Sequence, residues 1–198
     1  MHWQSCGKNI MNQNYNVNDD IESVLVDEAE IDKLVKEVAA QIDADYPDCN
    51  RRLLLLCILK GSVVFMGDLM RAIKRPVEID FMKVSSYGRS SVSSGTVNII
   101  LDLYRKDMSE LDIIVIEDII DSGRTLSYLK KYLDVKGANS VRCATLLDKP
   151  SRREVDFVPD YVGAVIEDHF VVGYGLDFDE RYRELPYIGI LKPRVYQN

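Results

Sequence analysis

Two adjacent carboxylates and a short polar loop near the middle of the chain are the residues best suited to chemistry. Glu117 and Asp118 stand side by side, and after two isoleucines the chain continues as Asp121-Ser122-Gly123-Arg124-Thr125. A small-residue loop at the start of a helix presents backbone N–H groups and forms an anion site. Carboxylates beside it can accept hydrogen bonds from hydroxyl groups or hold a metal-bound ligand. A sugar phosphate satisfies both sets of groups.

The flanking sequence predicts the elements that position these groups. Residues 113–116 form a continuous apolar, β-branched run, which is typical of a strand buried on both faces. Leucines recur at helical spacing between residues 126 and 133. The order is therefore strand, acidic corner, loop and helix, and we expect the carboxylates where the strand leaves the core. The alternative is an ordinary turn whose Ser and Gly only cap the helix, and it leaves the acids unexplained.

The chain has one further corner that could bind phosphate, and it lacks the two common glycine-rich loops. Neither G-x-x-x-x-G-K-S/T nor G-x-G-x-x-G occurs. The second corner follows a seven-residue apolar run at 53–59, where Lys60, Gly61 and Ser62 precede a helical pattern. A lysine at a strand end is most often simply solvated, so this corner alone is weak evidence.

A segment rich in serine and glycine, residues 85–95, lies between two predicted strands. It has no hydrophobic periodicity. Such a loop is either an inert connection or a lid over a ligand.

The bulk composition describes an ordinary globular chain. It has 198 residues, 46% of them hydrophobic and 29% charged, with a formal net charge of −7. The negative charge argues against binding to nucleic acid or to an anionic membrane. No run approaches 18 apolar residues, so we expect no transmembrane helix, and the N-terminus lacks a signal-peptide core. The four cysteines form no C-x-x-C motif, and a reducing cytoplasm is the simplest inference.

Strand and helix patterns alternate along the chain. A helix is predicted after Asp27, and strands are predicted near residues 77–84, 96–103, 141–147 and 161–166 in addition to those above. This alternation predicts one α/β domain over residues 21–198, with an open, mostly parallel sheet flanked by helices. Residues 1–20 are polar and are predicted to be a loose tail, and Met11 is an alternative start. Ligands are expected at the carboxyl ends of the strands.

Two segments resemble a known enzyme family. Residues 113–125 are similar to the phosphoribosyl-diphosphate (PRPP) motif of the phosphoribosyltransferases, and FVVGYGLD with YRELP, within residues 170–186, is similar to the hood of the 6-oxopurine enzymes. The resemblance covers roughly residues 21–191 and is closest to hypoxanthine or hypoxanthine-guanine phosphoribosyltransferases of bacterial type. It implies the type I phosphoribosyltransferase fold, with a core at about 50–165 and a hood built from the N-terminal part and residues 166–198.

The same resemblance implies an activity in purine salvage. The enzyme would transfer the 5-phosphoribosyl group from PRPP to hypoxanthine or guanine with Mg²⁺, and would release IMP or GMP and pyrophosphate. In such a reaction the protein must neutralise the leaving group, hold the ribose and manage a proton on the purine.

Roles for individual residues also follow from the resemblance. Asp121 is expected to be the general base or acid near purine N7, and Lys149 to select the 6-oxo group because an ammonium is repelled by the adenine 6-amino group. The remaining expected roles are the 5′-phosphate for Asp121, Ser122, Gly123, Arg124 and Thr125; the ribose for Glu117 and Asp118; pyrophosphate for Lys60, Gly61 and Arg183; the purine for Phe170 and Val171; Mg²⁺ for Asp177, Glu117 and Asp118; and a mobile loop at Ser86 and Tyr87.

Three questions stay open from the sequence. Selectivity among hypoxanthine, guanine and xanthine depends on contacts that the pattern does not reveal. The family forms homodimers and homotetramers, and nothing here chooses between them. A regulator that binds PRPP without turnover is the alternative from another class, but such proteins usually carry a winged-helix domain or a basic face, and the net charge of −7 disfavours the latter.

Overall fold

The computed structural model describes residues 16–86 and 97–197. The strands within these ranges are β1 (Ile21–Val26), β2 (Arg52–Leu59), β3 (Glu78–Ser86), β4 (Val97–Leu101), β5 (Leu111–Ile120), β6 (Ser140–Asp148), β7 (Tyr161–Val165), β8 (Val171–Val172) and β9 (Ile188–Leu191). The α-helices are α1 (Glu28–Asp45), α2 (Val63–Ala72), α3 (Arg124–Val135) and α4 (Pro193–Tyr196). Short 3₁₀ helices cover Val17–Asp20, Met108–Glu110 and Pro150–Arg152.

The main sheet confirms the predicted open, mostly parallel α/β arrangement. Its six strands lie in the order β4-β3-β2-β5-β6-β7, and only β4 runs antiparallel to its neighbour. Both faces are covered, so successive residues of one strand enter different cores. Leu53 and Leu55 pack with α1 and α2, whereas Leu54 and Leu56 pack with α3. This double burial explains the uninterrupted apolar runs at 53–59 in β2 and at 113–116 in β5.

The strand order reverses between β2 and β5. From β2 the chain passes through α2 to β3 on one side, and from β5 it passes through α3 to β6 on the other. The helices α2 and α3 therefore lie on opposite faces, and a crevice opens between the carboxyl ends of β2 and β5. Ligands of open α/β sheets bind at such a switch point.

A second, antiparallel sheet forms a small hood from the two ends of the chain. Its order is β1-β9-β8, with Ile21 opposite Leu191 and Val171 opposite Ile190. The first residues of the described chain are attached to this hood. The Lys192 backbone N–H donates to the Asp20 carbonyl at 2.9 Å, and Arg194 donates to the Asp19 carbonyl at 2.8 Å.

These contacts correct the predicted tail at its end. Residues 17–20 form a 3₁₀ helix that is bonded to the C-terminal segment, because charged and backbone groups near residue 192 satisfy their carbonyls. Residues 1–15 of the predicted tail lie outside the described residues. In the ranges that the structure covers, every helix is too short or too polar to cross a lipid bilayer.

Candidate active site

The acidic pair lies within β5 and not beyond its end, which corrects the predicted acidic corner. Pairing with β6 continues past the apolar run, with Glu117 opposite Thr145 and Ile120 opposite Asp148. The hydrogen-bonded ladder therefore holds the backbone of both acids rigidly at the switch point. Their side chains project from a strand, which positions a functional group more accurately than a loop does.

Glu117 and Asp118 are desolvated, and hydrogen bonds and charges from neighbouring groups do not offset the resulting rise in their pKa values. Burial, reinforced by the charge of Asp118, raises the pKa of Glu117 well above its usual value. Burial raises the pKa of Asp118 to about 6, against opposing effects from the Ile119 N–H and Arg183. The Glu117 Oε2 atom is buried and has no hydrogen-bond partner among the residues that the structure describes. A buried carboxylate oxygen without a donor is costly, and a ligand hydroxyl or cation would satisfy it.

The polar loop ends at the first turn of α3. Gly123 has φ +76°, and a Cβ at this position would lie 2.9 Å from Arg153 Cδ, so only glycine fits both the backbone and the space. No side chain of residues 16–86 or 97–197 caps the helix, and the Ser122 Oγ accepts only a long contact of 3.4 Å from the Arg124 N–H. The first-turn N–H groups therefore remain available to an anion.

The Arg124 side chain forms an ion pair with Glu154, which lies outside the polar loop. Its Nε donates to Glu154 Oε2 at 2.6 Å, and both side chains are about half exposed. The positive charge of Arg124 is thus partly neutralised in this state, and the backbone amides carry most of the site's attraction for anions. Thr125 is partly buried in the first turn of α3.

The turn after β6 supports the loop from one side. The Glu154 N–H donates to the Ser122 carbonyl at 3.0 Å. The Arg153 guanidinium donates to the Asp121 carbonyl and forms an ion pair with Asp148. Within this turn Arg153 is largely withdrawn from solvent, whereas Arg152 and Glu154 are more than half exposed. No local pattern could have revealed this contact, because it depends on the pairing of β5 with β6.

The second corner approaches the acidic pair closely. The Leu59–Lys60 peptide bond at this corner is cis. A Cβ at Gly61 would lie 1.6 Å from Asp118 Oδ2, and a Cβ at Gly175 would lie 2.1 Å from the Gly61 carbonyl oxygen. Three segments distant in sequence therefore meet here with no room for an additional side chain.

Cations and acids from the hood complete this side of the crevice. Lys60 Nζ donates to Glu180 Oε1 at 2.7 Å. One nitrogen of Arg183 lies 2.9 Å from Asp177 Oδ1 and 3.3 Å from Glu180 Oε2, and the other donates to the Gly175 carbonyl at 2.7 Å. The structure thus brings Lys60, Gly61, Asp177 and Arg183 together next to Asp118. The sequence analysis did not single out Glu180, the acid that links both cations.

The opposite side of the crevice contains the residues predicted for a base. Lys149 is 6% exposed, and its Nζ donates to the His169 carbonyl at 2.6 Å. The same nitrogen lies 3.7 Å from Asp121 Oδ1 and 3.8 Å from Asp168 Oδ1. Lys149 therefore links the polar loop to the segment that leads into Phe170 and Val171.

Two expected positions are described only in part. Ser86 is the last residue of β3, and its side chain is not described. Tyr87 lies outside the described residues, as do residues 88–95 of the segment predicted to be a lid.

The chain belongs to the phosphoribosyl transferase domain family, which matches residues 24–179. It is 53% identical over 179 residues to the hypoxanthine-guanine phosphoribosyltransferase of Bacillus subtilis (strain 168), covering 90% of this chain and 98% of that protein. It is 47% identical over 177 residues to the enzyme of the same name from Streptococcus thermophilus (strain CNRZ 1066), covering 89% and 97%. A crystal structure of a hypoxanthine phosphoribosyltransferase from Staphylococcus aureus superimposes with a TM-score of 0.87 at 45% identity, covering 94% of this chain and 100% of that one.

Proposed function

We propose that this chain is a Mg²⁺-dependent hypoxanthine-guanine phosphoribosyltransferase of purine salvage. One observation carries the proposal: two desolvated carboxylates, one with an oxygen lacking a described partner, lie between an uncapped helix start and a narrow glycine corner. The names of the similar proteins support the same activity. The substrates would be PRPP and a 6-oxopurine, and the products would be IMP or GMP and pyrophosphate.

The 5′-phosphate is proposed to bind at the polar loop, residues 121–125. The N–H groups of the first turn of α3 and the hydroxyls of Ser122 and Thr125 would donate to its oxygens, and Gly123 lets the backbone approach closely. The ribose hydroxyls would then donate to Glu117 and Asp118. The carboxyl oxygens would accept these hydrogen bonds, and negative charge on the acids would stabilise the oxocarbenium-like sugar of the transition state.

Pyrophosphate is proposed to leave toward Lys60, Gly61 and Arg183. Lys60 and Arg183 now pair with the carboxylates of Asp177 and Glu180, so both cations are already held on this side of Asp118. The leaving oxygens would take the place of part of this ion-pair network. The tight contact between Gly61 and Gly175 keeps the corner free of side chains.

The carboxylates of Asp177, Glu117 and Asp118 fit a divalent cation whose ligands would come partly from the protein and partly from the substrate. In the described part of the chain, no cluster of three or more His, Cys, Asp or Glu side chains forms a ready-made metal site. Mg²⁺ typically binds through one or two carboxylates and completes its shell with water and phosphate oxygens. When bound, it would neutralise charge on the leaving pyrophosphate.

The base is proposed to bind between the polar loop and the hood. Lys149 Nζ, already oriented by the His169 carbonyl, would donate to the purine 6-oxo group. The Asp121 carboxylate lies 3.7 Å from that nitrogen and would exchange a proton at N7. Phe170 would stack on the ring, and the Val171 backbone would meet its hydrogen-bonding edge. Ser86 and Tyr87 are proposed to belong to a loop that closes over the bound substrates and excludes water.

Domain organisation, assembly and location are parts of the same proposal. One catalytic domain over residues 21–198 would consist of the parallel core and the hood, and would assemble as a homodimer or homotetramer. It would act in the cytoplasm, where the free thiols of Cys57 and Cys143 stay reduced. No nucleic acid or membrane partner is proposed. A PRPP-binding regulator is disfavoured because the similar proteins carry enzyme names.

An assay of the purified chain with PRPP, Mg²⁺ and four separate bases tests the proposal. We expect nucleotide and pyrophosphate in equal amounts with hypoxanthine and guanine, and none above background with adenine. Xanthine defines selectivity at the purine 2-position. PRPP binding without nucleotide formation from any base would contradict the enzyme and favour the regulator.

A further inference from the structure

The aromatic ring predicted to stack on the base is itself stacked on the C-terminal helix. The rings of Phe170 and Tyr196 are nearly parallel, with centroids 4.5 Å apart and an interplanar angle of 18°. The ring of Phe178 is nearly perpendicular to that of Phe170, with centroids 5.5 Å apart and an angle of 85°. These are favourable geometries for aromatic pairs. Phe170 is therefore held by two other rings in the hood.

The backbone next to Phe170 is coupled directly to α4. The Phe170 carbonyl accepts a hydrogen bond of 2.8 Å from the Leu191 N–H, two residues before α4 begins. Strand β8 follows Phe170 and pairs with β9, the strand that leads into α4. A displacement of α4 would thus move the ring of Phe170 and its backbone together.

The N-terminal residues of the described chain anchor α4. Lys192 Nζ donates to the Asp19 carbonyl at 2.7 Å, and Arg194 donates to that carbonyl and to Asp20 Oδ1 at 3.1 Å. The Asp20 carboxylate, which is largely buried, also accepts from the Tyr182 hydroxyl at 2.8 Å. Helix α4 has only one turn, so these contacts and not its own hydrogen bonds determine its position.

Phe170 keeps an exposed surface that a ligand could contact. Tyr196 stacks on the ring and Phe178 stands nearly perpendicular to it, but Phe170 remains 37% exposed. An apolar ring with this exposure, adjacent in sequence to the Lys149 contact at His169, is available to stack with a planar group.

We infer that Tyr196 is a positioning residue for the purine, acting through Phe170 from the face opposite the base. This inference rests on the proposed function. The base, Phe170 and Tyr196 would form a continuous stack, and the ring of Tyr196 would keep Phe170 parallel to the base plane that Lys149 and the Val171 backbone define. The two ends of the chain would therefore contribute to base affinity without contacting the base.

Steady-state kinetics of Tyr196→Ala with hypoxanthine and PRPP tests this inference. Loss of one aromatic stack should raise KM for hypoxanthine roughly two- to tenfold. KM for PRPP and kcat should stay within about twofold, because the phosphate and ribose contacts are made by other elements. Tyr196→Phe keeps the ring and should restore the wild-type KM for hypoxanthine.

Two further variants separate positioning from general stability. Tyr196→Leu keeps apolar contact without a planar ring, and it should behave like Tyr196→Ala if stacking geometry matters. Tyr104→Ala is the matched control: Tyr104 is 94% exposed and follows β4 toward the other end of the sheet. It should leave both KM values and kcat unchanged. Thermal unfolding of each variant verifies that it is folded at the assay temperature.

Each contrary outcome has a distinct meaning. A lower KM for hypoxanthine in Tyr196→Ala would overturn the inference and show that Tyr196 occupies the place of the base. Equal rises in both KM values, or wild-type kinetics in Tyr196→Leu, would also overturn it. None of these outcomes contradicts the proposed function, provided that the wild-type chain is active on hypoxanthine. A wild-type chain without activity on hypoxanthine would remove the proposed function and this inference together.

Discussion

Arg153 forms an ion pair with Asp148 in which both side chains are largely withdrawn from solvent, with 15% and 9% of their surface exposed. The same guanidinium donates to the Asp121 carbonyl. Asp148 ends β6, so the polar loop at the start of α3 is attached to the neighbouring strand of the sheet. The anion site is therefore preorganised by contacts that involve none of its proposed donors.

Arg153→Met should weaken both the fold and the phosphate site. Removing one partner of a poorly solvated ion pair leaves Asp148 uncompensated, and we expect the free energy of unfolding to fall by about 3 kcal/mol. KM for PRPP should rise while KM for hypoxanthine changes little. Denaturant unfolding and steady-state kinetics measure these effects. As a control, Arg71→Met removes an arginine that is 78% exposed, and it should change neither the free energy of unfolding nor KM for PRPP appreciably. An equally small effect of Arg153→Met would contradict the proposed support of the polar loop by Arg153.

Gly61→Ala should weaken PRPP binding strongly without unfolding the protein. The new methyl group would lie 1.6 Å from Asp118 Oδ2, the end of a side chain that can rotate away. We expect a folded protein whose displaced carboxylate no longer accepts the ribose, with calorimetric PRPP affinity at least tenfold weaker. Gly67→Ala is the matched control, since its Cβ would meet nothing within 4 Å in α2. That change should raise stability by about 1 kcal/mol and preserve binding; unchanged PRPP affinity in Gly61→Ala would refute the geometry of the corner.

Asp118→Asn should raise the free energy of unfolding of the ligand-free protein relative to the wild type, and this gain should increase with pH. Burial raises the Asp118 pKa from the usual 3.8 to about 6, so the folded state binds its proton more tightly than the unfolded state. The free energy of unfolding of the wild type should therefore fall as pH rises from 4 to 6 because of this group. Asparagine carries no charge, and we expect a gain of about 2 kcal/mol at pH 7.5 that fades toward pH 4.

Unfolding by denaturant at several pH values, without ligand, measures this difference. Asp134→Asn changes an exposed position of α3 and serves as the control. A gain in Asp118→Asn that does not depend on pH would argue against a charged buried carboxylate. The stabilised variant should also lose activity, because ribose hydroxyls would face an amide.

Asp121→Asn should lower kcat far more than PRPP affinity. The side chain is 52% exposed and lies beside Lys149, outside the first turn of α3, so the phosphate donors are unaffected. General acid–base groups contribute about a hundredfold or more, and a loss of this size in kcat is expected. Single-turnover kinetics and PRPP calorimetry separate the two quantities. Parallel losses in both would show that Asp121 serves binding and not proton transfer.

Lys149→Met should erode discrimination against adenine. Methionine keeps the aliphatic volume at a buried position but cannot donate to a 6-oxo group. The hydrogen bond involves a charged donor, so kcat/KM for hypoxanthine should fall by about ten- to a hundredfold. The value for adenine should not fall, and the ratio of the two measures selectivity. An unchanged ratio would exclude Lys149 from base selection.

The elements that could be predicted are those whose burial produces a clear hydrophobic pattern in the sequence. Strands β2 and β5 could be predicted from the apolar runs at 53–59 and 113–116, which occur because helices cover both faces of the sheet. The strands of the hood were not found. Only the two ends of β1 are buried, and its partner β9 lies at the opposite end of the chain. Short, half-exposed strands with distant partners leave little local signal.

The site shows the same limit. The acids and the polar loop were evident because such residues rarely follow an apolar run without a reason. The length of β5 was underestimated, since its ladder with β6 is a property of two strands together. The links from Lys60 to Glu180 and from Phe170 to Tyr196 join segments far apart in sequence. The roles of the site residues remain predictions for the experiments above.

The most direct test is a crystal structure of this chain with Mg²⁺ and a nonreactive PRPP analogue. The account predicts the 5′-phosphate within hydrogen-bond distance of the first-turn N–H groups of α3, and the ribose hydroxyls on Glu117 and Asp118. Phosphate bound elsewhere, with the two carboxylates making no contact to the sugar, would contradict it.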